Sequence, residues 1–250
     1  MPIDEGSFEA PPLDGEGPLF KQIERAIRNE IVSGRWPCGH RIPPELQMAN
    51  AYNAARSTVS KAMARLSEAG LVDRKRRQGT TVASPTEAHE VIGYLDVRQE
   101  IERKGRRYNY RVLRSRTIKG RSISESWSSI PSETPVLRLD AVHCGFDNPE
   151  VLEERYINLD AAPDALGVNF ELETPTTWLL MRLPCTRLRH TIRAAVASVE
   201  QAKMLGVPEK SIVLISLRQS WAADVPVTFV KLTFPADQNQ FVGEFNPPQA

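Results

Sequence analysis

The chain has 250 residues, 41% apolar and 25% charged, enough for two units each with its own core and unlike the fibrous or wholly disordered classes. Its net charge of +1 hides a skew, because residues 18–85 carry 12 Lys/Arg against 5 Asp/Glu. That balance turns one half of the chain towards a polyanion such as nucleic acid. There is no apolar run of eighteen residues and no signal-peptide core, so neither membrane insertion nor export is indicated and a cytoplasmic protein is expected.

Residues 1–17 mix Pro, Gly and acidic residues without periodicity and read as a flexible tail. A helix is predicted over 18–33, where Leu19, Ile23, Ile27 and Ile31 recur every fourth residue and Gly34 supplies a stop. A connector rich in Pro and Gly leads to a second helix over 44–52, with Glu45 in its first turn, where the helix dipole favours a carboxylate. A third helix is predicted over 56–66, because Val59, Ala62, Met63 and Leu66 form one apolar face. The other side carries Arg56, Ser57, Thr58, Ser60, Lys61 and Arg65, the hydroxyls and cations that reach base edges and phosphates. After Gly70, two short strands flank a basic tip at Arg76, Arg77, Gln78 and Gly79. A helix with a buried face and a cationic face, followed by a basic hairpin, describes a winged helix-turn-helix.

A linker is expected over 84–89. A helix near 96–104 ends at Gly105, and 106–119 alternates cationic and apolar residues as a half-exposed strand would. Further expectations are a short helix over 122–128 and strands over 135–144 and 151–157 with a turn at 147–149. A helix over 176–181, a strand over 193–199 and a helix over 200–205 follow. The chain closes on strands over 212–221 and 227–234 with a turn at 223–226. The whole is an α+β fold whose second half is built on an antiparallel sheet. Cys38, Cys144 and Cys185 are odd in number and far apart, which gives neither a disulfide framework nor a metal-ligand spacing. No nucleophile–base set, phosphate-cradling glycine loop or carboxylate pair is evident, so no enzyme, catalytic residue, metal or cofactor is expected.

The stretch PLFKQIERAIRNEIVSGRWPCGHRIPPELQMANAYNAARSTVSKAMARLSEAGLVDRKRRQGTTV resembles the N-terminal domain of the GntR family of bacterial transcription regulators almost from end to end. The resemblance implies a DNA-binding domain over 18–83, with Glu45, Arg56, Ser57, Thr58, Ser60, Lys61, Arg65, Arg76, Arg77, Gln78 and Gly79 as its DNA-facing residues. The sequence departs from the family pattern at Asn53, where Gly is usual, and at Ala55, where a Ser cap is usual. Pro44 and Leu46 replace Ser and a basic or polar residue.

From residue 90 to 246 the segments VLRLDAVHCGFDNPEVLEERYINLDAAPD, TPTTWLL and LRQSWAADVPVTFVKLTFPADQNQFVGEF resemble the UTRA effector-binding domain, within it the HutC subfamily. The resemblance implies a fold shared with chorismate lyase, a homodimer on a palindromic operator, repression of histidine utilisation, and urocanate as small-molecule effector. Carried over position by position, it implies an effector site of Arg98, His143, Glu154, Thr176, Trp178, Thr228 and Phe234. Asp96 at a helix start would repel a phosphate. Other small acids remain open as effectors, and an amino sugar phosphate is disfavoured on that ground.

Overall fold

The computed structural model describes residues 8–75, 79–83 and 97–242. The chain divides into two compact units. One comprises Met1–Ser84 with Leu179–Thr186 and Ala222–Val225, the other Pro85–Trp178, Arg187–Trp221 and Pro226–Ala250. The linker expected over 84–89 lies outside the described residues.

The first unit contains α1 (Leu19–Val32), β1 (Arg41–Ile42), α2 (Glu45–Ala51), α3 (Arg56–Glu68), β2 (Val72–Lys75) and β3 (Gly79–Val82). Ile23, Ile27 and Ile31 of α1 are fully buried against Val59, Ala62, Met63 and Leu66 of α3, the two apolar stripes read from the sequence. Burying each such aliphatic side chain contributes about 2 kcal/mol, far more than the helix propensity of the same residues. Asn53 adopts the left-handed conformation at φ 48°, as the turn between α2 and α3 requires. Ala55 caps α3 without any side-chain hydrogen bond. The three-stranded wing sheet has the order β1-β3-β2. Strand β1, too short for sequence patterning to separate from the connector, pairs Arg41 with Thr81 and Ile42 with Thr80.

Residues 8–17 correct the expectation of a flexible tail. Phe8, Ala10 and Leu13 pack on the first core, and Phe8 meets the Trp36 ring at 6.4 Å. Asp14 forms a two-pronged ion pair with Arg25 at 2.6 and 2.7 Å, and Gln22 donates to the Gly17 carbonyl. The apolar residues of this segment are too few to show periodicity, so composition alone is misleading there.

The second unit is a six-stranded antiparallel sheet of order β4-β5-β6-β9-β8-β7. Its strands are β4 (Tyr108–Lys119), β5 (Pro135–Gly145), β6 (Asn148–Asn158), β7 (Arg187–Val196), β8 (Ile212–Ala222) and β9 (Val225–Pro235), with α4 (Val97–Arg103), α6 (Val199–Leu205) and the first residues, up to Trp178, of α5 (Pro175–Arg182). On one face α6, closed by a Ser198–Gln201 capping box, packs Ala202 and Leu205 on Val142, Leu152, Val213 and Ile215. On the other face α4 packs Val97 and Ile101 on Val151, Val230, Leu232 and Phe234. In β4 the pairing shifts between Val112 and Arg114, so Leu113 is an extra residue that bulges out, 48% exposed.

Several boundaries differ from expectation. The helix expected over 122–128 is a 3-10 turn at Gly120–Ser122 followed by turns. Four serines at 122, 124, 126 and 128 compete for backbone hydrogen bonds, and the segment is fixed instead by the fully buried Trp127. The turn expected at 147–149 is tighter, with Phe146 at φ 56° and Asn148 already in β6. Strand β7 begins at Arg187, six residues before expectation, because its mostly exposed edge position hides the apolar alternation. Val199, expected in that strand, opens α6.

Candidate functional site

Two surfaces carry the residues singled out by the sequence. On the first unit, α3 exposes Arg56 and Ser57 to solvent and half-buries Thr58 and Ser60. Glu45 of α2 lies beside them: it accepts from Arg74 of β2 and stands 4.0 Å from Arg56. One carboxylate thus links the second helix, the recognition helix and the wing. The two other cations of α3 are exposed but engaged by residues of α1. Arg65 Nε donates to Glu24 Oε2 of α1 at 2.6 Å, and Lys61 Nζ sits 4.0 Å above the Phe20 ring. Gly79 is exposed at φ 92° beside the Arg41 side chain. Arg76, Arg77 and Gln78 lie outside the described residues, as does Asp96. Sequence reasoning missed Arg41, Arg74 and Glu24, whose roles depend on long-range pairings.

On the second unit, strand alternation gathers a buried polar chain on the face that α4 partly covers. Register pairs Tyr110 with His143, His143 with Val151, and Leu139 with Arg155, so Tyr108, Tyr110, His143, Glu153 and Arg155 share that face. The Tyr108 hydroxyl lies 2.9 Å from His143 Nδ1, and His143 Nε2 lies 2.7 Å from Glu153 Oε2. Arg155 Nε donates to Glu153 Oε1 at 2.5 Å, and Arg155 Nη2 donates to Thr176 Oγ1 at 2.7 Å. Glu153 and Arg155 are each 2% exposed. Burial alone would raise the Glu153 carboxyl, but the Arg155 charge and the His143 and Arg155 hydrogen bonds outweigh it and hold the group well below the usual carboxylate range. An ionised carboxylate only accepts, so His143 Nε2 carries the hydrogen of that bond. Burial and then the Glu153 charge push the Tyr110 hydroxyl well above the usual phenol range.

Beside this chain, Arg155, Thr176, Leu188, Arg218, Ser220, Thr228 and Val230 surround a gap of about 10 Å3, room for one water. Arg218 is 5% exposed. Two buried guanidiniums, one carboxylate and three hydroxyls form a set whose donors suit an anion. Of the expected effector residues, Thr176 and Thr228 line this gap, and His143 is joined to it through Glu153 and Arg155. Arg98 lies nearby, its guanidinium 5.7 Å from the Tyr108 ring, and it also pairs with Glu102.

Three expected effector residues go elsewhere. Glu154 faces the opposite side of the sheet and pairs with Lys231 at 2.6 Å, with Arg138 at 3.8 Å, and Glu153 takes the place it was given. The period of two explains this, since a one-residue shift reverses the face. Trp178 is buried with its ring at right angles to Phe170, a packing position. Phe234 lines a different, larger cleft. Sequence reasoning missed Glu153, Arg155, Arg218, Ser220, Tyr108 and Tyr110. The one signal for them was the alternation Val151, Glu153, Arg155, Ile157, which is silent on which face matters.

A winged helix-turn-helix unit and a separate α+β unit with a buried, charged gap define a two-part regulatory protein. Residues 103–240 match the UTRA domain family, and residues 19–82 match the bacterial regulatory proteins of the gntR family. The chain belongs to the UTRA family and carries a GntR-type winged helix at its N-terminal end. It is 27% identical over 233 residues to the histidine utilization repressor of Pseudomonas putida, covering 93% of this chain and 94% of that one. The C-terminal domain of the histidine utilization repressor of Pseudomonas syringae is similar in structure, with a TM-score of 0.51 and 25% identity over 56% of this chain and 99% of that one. PhnF of Mycobacterium smegmatis shares the fold, with a TM-score of 0.56 and 20% identity over 84% of this chain and 93% of that one.

Proposed function

We propose that this protein is a transcriptional repressor of histidine utilisation genes that binds a palindromic operator as a homodimer and is released by urocanate. The observation that carries the reading is the buried gap, where Arg155 and Arg218 face three hydroxyls beside the His143–Glu153 pair. Urocanate is a planar imidazole joined to an acrylate. The guanidiniums would hold its carboxylate, Thr176, Ser220 and Thr228 would meet its ring nitrogens, and His143 would hold Arg155 in place through Glu153. A gap the size of one water must widen to admit it, so binding selects or creates a more open arrangement of the unit. The similarity to the Pseudomonas repressors supports the gene target.

On the DNA side, Arg56, Ser57, Thr58 and Ser60 would read bases and flanking phosphates, with Glu45 orienting Arg56 and Gly79 bringing the wing backbone close. Phosphate contacts would dominate affinity and make it salt-dependent. The protein would act in the cytoplasm, without catalysis.

The test is thermal melting with urocanate, histidine and glucosamine 6-phosphate, followed by operator binding with and without the ligand that shifts. A ligand at a hundredfold excess over its dissociation constant raises stability by about 2.7 kcal/mol. A shift with urocanate, lost in Arg218→Gln and accompanied by operator release, is the expected result. A shift with the sugar phosphate alone, or none at all, would remove urocanate from the reading.

A further inference from the structure

A second cleft, of about 560 Å3, lies between α4 and the segment that follows β9. This is within the usual range for small-molecule sites, about 300–1,000 Å3. It is separate from the gap at Arg155 and Arg218. Val230, which lines that gap, packs with Val97, Ile101, Val151 and Phe234 into an apolar wall, and the other side of the wall lines the cleft.

The lining has two chemical parts. Val97, Ile101, Phe234 and Phe241 give an apolar floor in which the two phenyl rings stand edge to face, centroids 5.4 Å apart at 86°. Such a right-angled pair offers one ring face and one ring edge to a third flat group. The rim is charged. Glu100 is neutralised by Arg103 at 2.5 Å and Glu150 by Arg106 at 2.8 Å. That leaves one cation, Lys104, and one carboxylate, Asp237. Lys104 Nζ reaches only the neutral Gln238 carbonyl and Asn239 Oδ1, both at 3.4 Å, and Asp237 is exposed. Among the described residues neither has an ion-pair partner.

We propose that this cleft binds a free α-amino acid with a flat aromatic or heteroaromatic side chain. Lys104 takes its carboxylate, Asp237 takes its ammonium, and the side chain lies on Phe234 and Phe241. A simple acid would meet the Asp237 charge, and a simple amine the Lys104 charge. Only a zwitterion matches both, and only a flat apolar body suits the floor. The site stands independently of the urocanate reading, since it shares no charged group with the Arg155 and Arg218 gap.

The experiment uses the full-length protein with labelled Ile, Leu and Val methyl groups, titrated with L-phenylalanine and L-histidine. 3-Phenylpropionate and phenethylamine are the single-charge controls. Saturable shifts at Val97 and Ile101, with Leu188 unmoved, are expected for the amino acids and not for the controls. Lys104→Gln and Asp237→Asn, both at exposed positions, should each weaken binding by roughly two- to fivefold, as for a solvent-screened ion pair. The assignment is overturned if the controls bind as well as the amino acids, if the two variants bind unchanged, or if nothing shifts. Shifts confined to Leu188 would place the ligand in the arginine-lined gap and overturn the cleft while leaving the effector reading intact. Loss of the urocanate response in Arg218→Gln bears on that other reading alone.

Discussion

Arg65 on the outer side of the recognition helix gives its guanidinium to Glu24 of α1, Nε to Oε2 at 2.6 Å, although it sits where a phosphate contact was expected. Glu24 is only 9% exposed, so the bond closes a polar gap at the helix–helix seam. Arg56 differs: its side chain is 74% exposed and its carboxylate neighbour is at 4.0 Å. Arg65→Gln should therefore lower stability by about 1 kcal/mol while leaving the salt dependence of DNA binding unchanged. Arg56→Ala should do the reverse, with little effect on melting and a lost preference for operator over random DNA. Melting curves and fluorescence anisotropy at several salt concentrations separate the two, and an altered salt slope in Arg65→Gln would contradict the assignment.

Glu45 restrains two cations that face outward, Arg56 and Arg74. Its replacement by Ala releases both to phosphates. Affinity for random DNA should then rise, and the slope of log K against log salt should steepen by about one unit for each further phosphate neutralised. Discrimination between operator and random DNA should fall. An unchanged slope would mean that Glu45 restrains neither.

The Glu153 carboxylate should govern acid stability. Its folded-state proton affinity is depressed, so its contribution is fully present above the ordinary carboxylate pKa of about 4.3 and is lost as pH falls from there towards the folded value. Glu153→Gln leaves Arg155 buried without its counter-ion and should cost about 3 kcal/mol at pH 7. The variant's melting temperature should also vary less between about pH 5 and 3 than the parent's. Parallel curves would show that another carboxylate controls this region.

Cys38 offers a local reporter. Burial pushes its thiol up to about 11, against 9.0 for an ordinary cysteine, so about a hundredfold less thiolate is present at pH 8. In a protein carrying Cys144→Ser and Cys185→Ser, thiol labelling at pH 8 should be slower than that of free cysteine by about that factor. It should accelerate as pH rises towards 11. Fast labelling at pH 8 would place the thiol in solvent.

The first unit was legible because its signals are local. Four apolar residues in α3 name their own face, Gly70 ends the helix, and Asn53 announces a left-handed turn. The second unit's sheet was legible as a class for the same reason, from short runs broken by turns. Its polar chain was not. Tyr108, His143, Glu153 and Arg155 come from three strands, and they meet only once register is fixed. Within β6 the difference between Glu153 and Glu154 is one residue. No local propensity distinguishes them, so the sequence reading named the carboxylate one position away from the one that bonds His143.

The extra residue at Leu113 works as a phase change in β4. On its N-terminal side Tyr108 and Tyr110 fall in step with His143, whereas on its C-terminal side Arg114 pairs with Asp140 and Ile118 with Val136 on the opposite face. A strand of strict period two could not supply tyrosines to one surface and these partners to the other at their present sequence positions. Pairing the same strand, Leu113 included, without the bulge would force a choice, either turning both tyrosines away from His143 or withdrawing Ile118 from the cluster around Trp127. The polar surface and one of the apolar cores are thus set to a common clock by a side chain that half faces water.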